Sequence, residues 1–459
     1  MENVEADKIM RAQRNISYLR IAAVFLLSFI AAIDSSGQRV SFNSLSQVFE
    51  FASKNNIQLR TADARKRIAA LQIQQSYSAL FPNVSLNGNY TDNIKIQPTL
   101  VPLSLFGGEP NTYSEEKFGR RYTYNANVSA QVSILDLKNW FAIGMSKYNF
   151  ELTQLSFQKD KMELMEELAA AYYSYLMWQE IEELSRQNSY ASDTVWMIYN
   201  KRATEGLIGN VQLNTALINK YKSSTALQVA QANKKISLNN LRALLNLNPA
   251  DSIFINDQIS AIKPGPLPAE RFTFSSPELQ IAHIQTLLSR NTMRTLRAAF
   301  APSLTAVYQY SSQVAGDKFL SGENANNTSQ QYFGLRLSVP LFMGGYRRQQ
   351  LKAGEIDYQN KLDVYQTMKN QTDINNSTML IEYHSAESQL IDAAKILEGY
   401  QENNMHAQKL FIEGVISGDE RLRVLNEYVN YQSEYLRLMS NYLVSQYRIQ
   451  IRQLINFQP

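Results

Sequence analysis

Proline is absent from two very long stretches of this chain, between Pro110 and Pro249 and between Pro340 and Pro459. Inside a helix, proline removes a backbone hydrogen bond and clashes with the preceding turn, at a cost of about 3 kcal/mol. Both stretches are therefore free to form helices far longer than the ~11–12 residues usual in globular domains. A helical pattern persists over residues 344–413, about 70 residues, or roughly 100 Å at 1.5 Å per residue. Between the two stretches, Pro264, Gly265, Pro266 and Pro268 mark a linker, assigned to residues 263–275.

The two sides of that linker repeat one order of events, which predicts a first structural repeat over residues 38–262 and a second over residues 276–459. In the first, a helical stretch from about Ser44 runs to Leu80, Phe81 and Pro82; in the second, one begins near Ser276, Pro277 and Glu278 and runs to Phe300, Ala301 and Pro302. Two strand-like runs follow in each repeat, then a long helical tract broken once by a glycine pair. The pairs are Gly206 with Gly209 and Gly414 with Gly418. Glycine supplies the positive φ that a sharp helix reversal usually needs, so the helical hairpins are predicted to turn at these pairs.

The strand-like runs alternate with a period of two. Tyr122, Tyr124, Ala126, Val128, Ala130, Val132 and Ile134 interleave with Thr123, Asn125, Asn127, Ser129, Gln131 and Ser133. Val84, Leu86, Gly88 and Tyr90 interleave with Ser85, Asn87, Asn89 and Thr91, while Leu304, Ala306, Tyr308 and Tyr310 share one face and Phe333, Leu335, Leu337, Val339 and Leu341 another. Uncharged polar residues on one side and tyrosine-rich apolar residues on the other suit a membrane barrel with a wet lumen. A soluble sheet covered on one side would alternate in the same way. Residues 94–121 and 312–331, rich in turn formers, are expected as its connecting loops.

The helical tracts carry two neighbouring apolar stripes each. Leu422, Leu425, Val429, Leu436, Met439 and Leu443 form one, beside Tyr428, Tyr431, Tyr435, Leu438 and Tyr442; Met162, Met165, Ala169, Tyr172 and Leu176 run beside Leu164, Leu168, Ala171, Tyr175 and Trp178. One stripe suffices for a two-stranded coiled coil, whereas two let a helix pack on neighbours at both sides, as the wall of a tube requires.

The start of the chain resembles an export signal. Lys8, Arg11, Arg14 and Arg20 precede a short apolar run over residues 21–33, and Ser35, Ser36 and Gly37 follow. Residues 1–37 are thus expected as a signal peptide cut near Gly37. No other apolar run approaches the ~20 residues of a spanning helix, so a helical multi-span protein is excluded. The absence of cysteine rules out disulfides, thiolate metal sites and an acylated N-terminal cysteine. The net charge of +4 carries no basic cluster of the kind that binds nucleic acid.

Enzyme signals are missing. His283, His384 and His406 lie far apart, without metal-ligand spacing. There is no nucleophile elbow and no phosphate-cradling loop, and Gly107-Gly108 is a turn. Glu166–Glu167 and Glu182–Glu183 are expected on solvated helix faces. No catalytic residue, metal or cofactor is predicted.

Leader, alternating strands, paired helical hairpins and duplication together resemble the TolC-type outer membrane efflux family. Local motifs agree: Leu80-Phe81-Pro82-Asn83-Val84 and Phe300-Ala301-Pro302-Ser303-Leu304 are similar to its helix-to-strand junctions, and Leu337 through Gly345 to its strand-to-helix junction. The first-repeat counterpart, Val132-Ser133-Ile134-Leu135-Asp136, lacks that proline and glycine. The resemblance implies a mainly α fold with a transmembrane β-barrel portion, in which helical hairpins form a periplasmic tube and four strands per protomer build a twelve-stranded barrel in a homotrimer. It also implies an outer-membrane exit duct of a tripartite efflux pump or type I secretion system. Its partners would be a periplasmic adaptor (membrane fusion) protein, an inner-membrane pump of RND or ABC type and outer-membrane lipid. The competing class is a non-conducting structural or adhesive coiled-coil surface protein. Within the resemblance, Gly206, Gly209, Gly414 and Gly418 mark the periplasmic tips and adaptor docking, and Arg423, Asn426 and Glu427 are the aperture candidates. The best-known member closes its entrance with aspartates just past the second turn, where this chain has Arg423 and Asn426, with Asp419, Glu420 and Glu427 close by.

Overall fold

The computed structural model describes residues 39–262, 276–322 and 324–456. The expected leader and linker lie outside these residues. In chain order the first repeat region holds β1 (Arg39–Phe42), α1 (Leu45–Asn55), α2 (Ile57–Tyr77), β2 (Asn83–Asp92), β3 (Thr99–Pro102), β4 (Tyr113–Glu116), β5 (Tyr122–Leu135), α3 (Leu137–Thr204), α4 (Asn210–Leu244) and β6 (Ser252–Ile255). The second holds α5 (Pro277–Ala298), β7 (Ser303–Gly316), β8 (Asn326–Ser338), α6 (Tyr346–Ile412) and α7 (Gly418–Asn456). The proline-free stretches do form exceptional helices: α3 has 68 residues and α6 has 67.

The chain divides into two units. One, residues 62–159 and 275–373, contains an antiparallel four-stranded sheet in the order β2-β5-β7-β8. In its register Val128 lies opposite Leu86 and Tyr310, and Asn127 opposite Asn87 and Ser311. Tyr308 pairs with Phe333 and Ala306 with Leu335, so the two apolar sets of the second repeat, expected on separate faces, share one. A bulge between Ser133 and Leu135 interrupts the alternation, and Leu135 in place of Ile134 takes Leu304 as partner.

Three details depart from the sequence expectations. The second loop is shorter than residues 312–331, because β7 runs on to Gly316 and β8 starts at Asn326; Ser312 pairs with Ser329 and Val314 with Asn327. Backbone pairing carries these polar residues, which look like loop by composition alone. The first loop contains the β3–β4 hairpin. The early helix is broken at Asn56, whose Oδ1 accepts from the Gln58 and Leu59 amides while its Nδ2 donates to the Leu244 carbonyl. That side chain caps α2 and ties it to the end of α4.

Residues 39–61, 160–262 and 374–456 form the other unit. Its core is helical: Met162, Leu164, Leu168, Ala169, Tyr172, Tyr175 and Leu176 from α3 are buried, as are Leu422, Val429, Leu436, Met439, Tyr442 and Leu443 from α7. A small parallel sheet pairs β1 with β6, burying Val40, Phe42, Ile253 and Ile255 on alternate positions. The hydroxyl of buried Tyr172 donates to Asp257 Oδ2 at 2.8 Å, fixing the segment after β6 against α3.

Candidate conduction surface and helix-reversal sites

Register makes one sheet face polar across all four strands. Ser85, Asn87 and Asn89 stand beside Ser129, Asn127 and Asn125, which stand beside Gln309, Ser311 and Gln313, and then Tyr332, Gln330 and Thr328. Neighbours bond across the strands: Ser85 and Ser129 hydroxyls lie 2.9 Å apart, and Tyr332 donates to Gln309 Oε1 at 2.7 Å. Arg336, opposite Thr305, is on this face too. The reverse face carries Val84, Leu86, Tyr90, Tyr124, Val128, Tyr308, Tyr310, Phe333, Leu335 and Leu337, and Val84, Leu86, Phe333 and Leu337 are 65–72% exposed. Among the described residues no strand lies beside the outer edges of β2 and β8.

Strand hands over to helix differently in the two repeats. After β8, Gly344 and Gly345 take positive φ of 57° and 80° before α6 begins. After β5, where glycine is missing, Asp136 substitutes: its Oδ1 accepts from the Lys138 amide at 3.0 Å and starts α3. The bulge two residues earlier supplies the bend that the glycine pair supplies in the second repeat.

The long helices end on matching caps. Gly206 has φ 71°, its amide donates to the Ala203 carbonyl, and Leu207 donates to Arg202 at 2.8 Å; Gly414 has φ 76°, with Gly414 donating to Phe411 and Val415 to Leu410 at 2.8 Å. These paired bonds around a left-handed residue satisfy the last carbonyls of each helix. The second glycine of each pair works otherwise. Gly209, at φ −83°, caps α4, its amide donating to Gln212 Oε1 at 3.0 Å. Gly418 opens α7 in a tight contact, where a Cβ would meet Val195 Cγ1 and Tyr199 Oη at 3.0 Å. Both turns sit in one apolar cluster of Val195, Tyr199, Ala216 and Leu422, with Trp196, Ile208, Leu213 and Leu425 around it. Lys220 lies 3.7 Å from the Trp196 ring centre and 2.7 Å from Asp193.

The three aperture candidates lie in the first turns of α7. Arg423 pairs with Glu420 and Glu427, each at 2.7 Å, and these hydrogen bonds and charges raise its pKa. The same guanidinium holds Glu420 below the usual carboxylate range. Asn426 Oδ1 accepts from Asn188 Nδ2 on α3 at 3.0 Å. Of their neighbours, Arg421 escaped the sequence reading and Asp419 did not. Burial lowers the Arg421 pKa, and this side chain donates to Asn404 Oδ1 on α6 at 2.8 Å. Burial raises Asp419, whose Oδ1 has no hydrogen-bond partner. Asn188 and Asn404 could have been suspected only as polar positions inside apolar heptads. Among the described residues no three His, Asp or Glu side chains cluster as metal ligands, and no helix is long and apolar enough to cross a membrane.

Residues 49–247 and 273–456 match the model of the outer membrane efflux protein family. Outer membrane protein TolC of Escherichia coli is 22% identical over 353 residues, covering 72% of this chain and 66% of that protein. The match to TolC of Salmonella enteritidis covers 62% of its length, so the chain spans slightly less than two thirds of these relatives. The probable outer membrane lipoprotein SilC of Salmonella typhimurium is 22% identical over 387 residues, covering 81% of this chain and 77% of that protein. The CmeC outer membrane channel of Campylobacter jejuni shares the fold with a TM-score of 0.72 at 16% identity, covering 90% of this chain and 86% of that one. The open state of the Neisseria gonorrhoeae MtrE outer membrane channel superposes with a TM-score of 0.68 at 16% identity, covering 89% and 88%. With most of its length matched by the family model, the chain belongs to the outer membrane efflux protein family.

Proposed function

We propose that the chain is one protomer of a homotrimeric outer-membrane exit duct, which passively conducts substrates delivered through a periplasmic adaptor by an RND- or ABC-type inner-membrane pump. Family membership makes it an outer-membrane protein and not an enzyme. The observation that carries the proposal is the sheet: one face polar, one apolar and exposed, with both edges open. In lipid each unpaired backbone group costs several kcal/mol, so an open edge must find a partner. Three protomers contributing four strands each close a twelve-stranded barrel, wide enough to leave a channel. Its polar face then lines water and its apolar face meets lipid. Gly206, Gly209, Gly414 and Gly418 are assigned to the periplasmic tips, where the adaptor docks, and Arg423, Asn426 and Glu427 to the aperture. The repeats at residues 38–262 and 276–459 would then supply equivalent parts of the wall.

Light scattering in detergent combined with conductance in planar bilayers tests this. The expected result is a trimer that inserts in uniform steps of current. A stable folded monomer, or a trimer that inserts without conducting, would overturn it.

A further inference from the structure

We propose that the junction between β8 and α6 is a binding site for an anionic phospholipid of the periplasmic leaflet, a site that rests on the outer-membrane barrel proposed above. Here the chain leaves the sheet at Ser338 and re-enters helix at Tyr346, and the left-handed Gly344–Gly345 pair turns it. The turn brings Phe300, Leu341, Phe342, Arg347 and Arg348 around one cavity of about 270 Å³. Leu341 and Phe342 are 92% and 86% exposed. They follow the apolar positions Leu335 and Leu337 in sequence, after the strand ends at Ser338.

Charge identifies the occupant. The cavity wall holds two guanidinium groups and no carboxylate. Among the described residues neither Arg347 nor Arg348 has an ion pair; Arg347 donates one N–H to the Ala299 carbonyl and keeps its other donors, while Arg348 is exposed. A guanidinium presents a fork of donors that matches a phosphate diester. Apolar side chains next to arginines at the rim of a barrel match a molecule with acyl chains on one side and a phosphate on the other. An acidic peptide would satisfy the arginines and leave Leu341 and Phe342 in water. A neighbouring protomer would cover the apolar residues but would need carboxylates of its own for the arginines. Phospholipid matches both halves at once.

Native mass spectrometry of the detergent-solubilised full chain, titrated with palmitoyl-oleoyl phosphatidylglycerol or the phosphatidylcholine of the same chains, tests the site. The wild type should retain phosphatidylglycerol preferentially. Arg347→Gln with Arg348→Gln should cut that preference roughly 30-fold, and Arg348→Gln alone roughly 5-fold, by the usual contribution of one basic residue at an anionic surface. Phe342→Ser should weaken both lipids equally. Equal retention of the two lipids by the wild type would overturn the proposal, as would a preference unchanged in Arg348→Gln, which leaves the Ala299 bond in place. Displacement of the lipid by equimolar inorganic phosphate would also overturn it, since the site would then be one for free anions. Insertion separates the two proposals. A wild type that enters bilayers but shows no lipid preference refutes this site alone; one that enters no bilayer refutes the duct as well.

Discussion

Four glycines at the two helix reversals occupy similar sequence positions yet do different physical jobs. Gly206 and Gly414 hold left-handed backbone with open space around them, so alanine would add strain there and no clash. Gly206→Ala should lower stability by about 1–2 kcal/mol, the usual penalty of a Cβ in that region. Gly209→Ala should change little, because its φ is −83° and the nearest atom to a new Cβ is 4.0 Å away. Gly418→Ala meets Val195 Cγ1 and Tyr199 Oη at 3.0 Å, so both must give by a few tenths of an ångström, and it should cost more than Gly209→Ala. Thermal melts of the purified protein rank the three; equal losses at 206 and 209 would contradict this assignment. Charge offers a second residue-scale prediction. Burial acts to raise the Glu182 carboxyl, but hydrogen bonds and charge from Lys234 and Arg186 win and hold it below 4.5. Glu182, like Glu166, does not lie on the solvated face expected for it: its side chain is only 12% exposed and its Lys234 pair at 2.9 Å joins α3 to α4, while Glu166 is 21% exposed and paired with Arg452. A depressed carboxylate contributes stability that is present above its unfolded pKa and lost as pH falls through the folded one. The melting temperature should therefore fall below about pH 4.5, and that fall should be smaller in Glu182→Gln.

At the scale of elements, the strand prediction follows from register. Val128 has Leu86 and Tyr310 beside it on the apolar face, while Asn127 has Asn87 and Ser311 on the polar one. Val128→Lys should cost about 2–4 kcal/mol if near mid-membrane and hinder assembly, whereas Asn127→Lys should be tolerated. Heat-modifiable mobility on gels separates the two outcomes, and equal tolerance would sink the barrel. Elements of this kind were largely legible in the sequence. Proline exclusion leaves room for α3 and α6, the glycine pairs mark where they stop, and period-two alternation locates β2, β5, β7 and β8. What escaped depends on partners distant in the chain. β1 and β6 are four residues each and exist only because they pair with one another. The break at Asn56 is stabilised by a carbonyl 188 positions away. The bulge at Ile134 replaces a glycine pair whose absence was visible, though its substitute was not. The polar ends of β7 and β8 look like loop until the ladder between them is known.

At the scale of the whole molecule, conduction through the proposed trimer is controlled wherever its polar passage is narrowest. The first turns of α7 combine three features suited to that role. Arg423 is clamped between Glu420 and Glu427, Asn426 is tied to Asn188 on α3, and Arg421 is tied to Asn404 on α6. The last two bonds join the start of α7 to both long helices, so its position depends on side-chain hydrogen bonds as well as on the apolar cluster beneath. The charges nearest these bonds balance locally, Arg423 standing between two glutamates. A ring of such groups from three protomers would be held by mixed hydrogen bonds and ion pairs, not by acidic groups alone. Net hydrogen bonds of this kind contribute about 0.5–1.5 kcal/mol each, small enough for a docked partner to overcome. Replacing Arg423 and Asn426 together by alanine removes the clamp and the tie to α3 while sparing Leu422 and the packed core. In planar bilayers that double variant should show a higher single-channel conductance than the wild type, with the trimer intact by light scattering. Raising ionic strength should weaken the Arg423 pairs and move the wild type part of the way toward the variant, because exposed ion pairs are screened by salt. An intact double-variant trimer with unchanged conductance would place the constriction elsewhere along the passage.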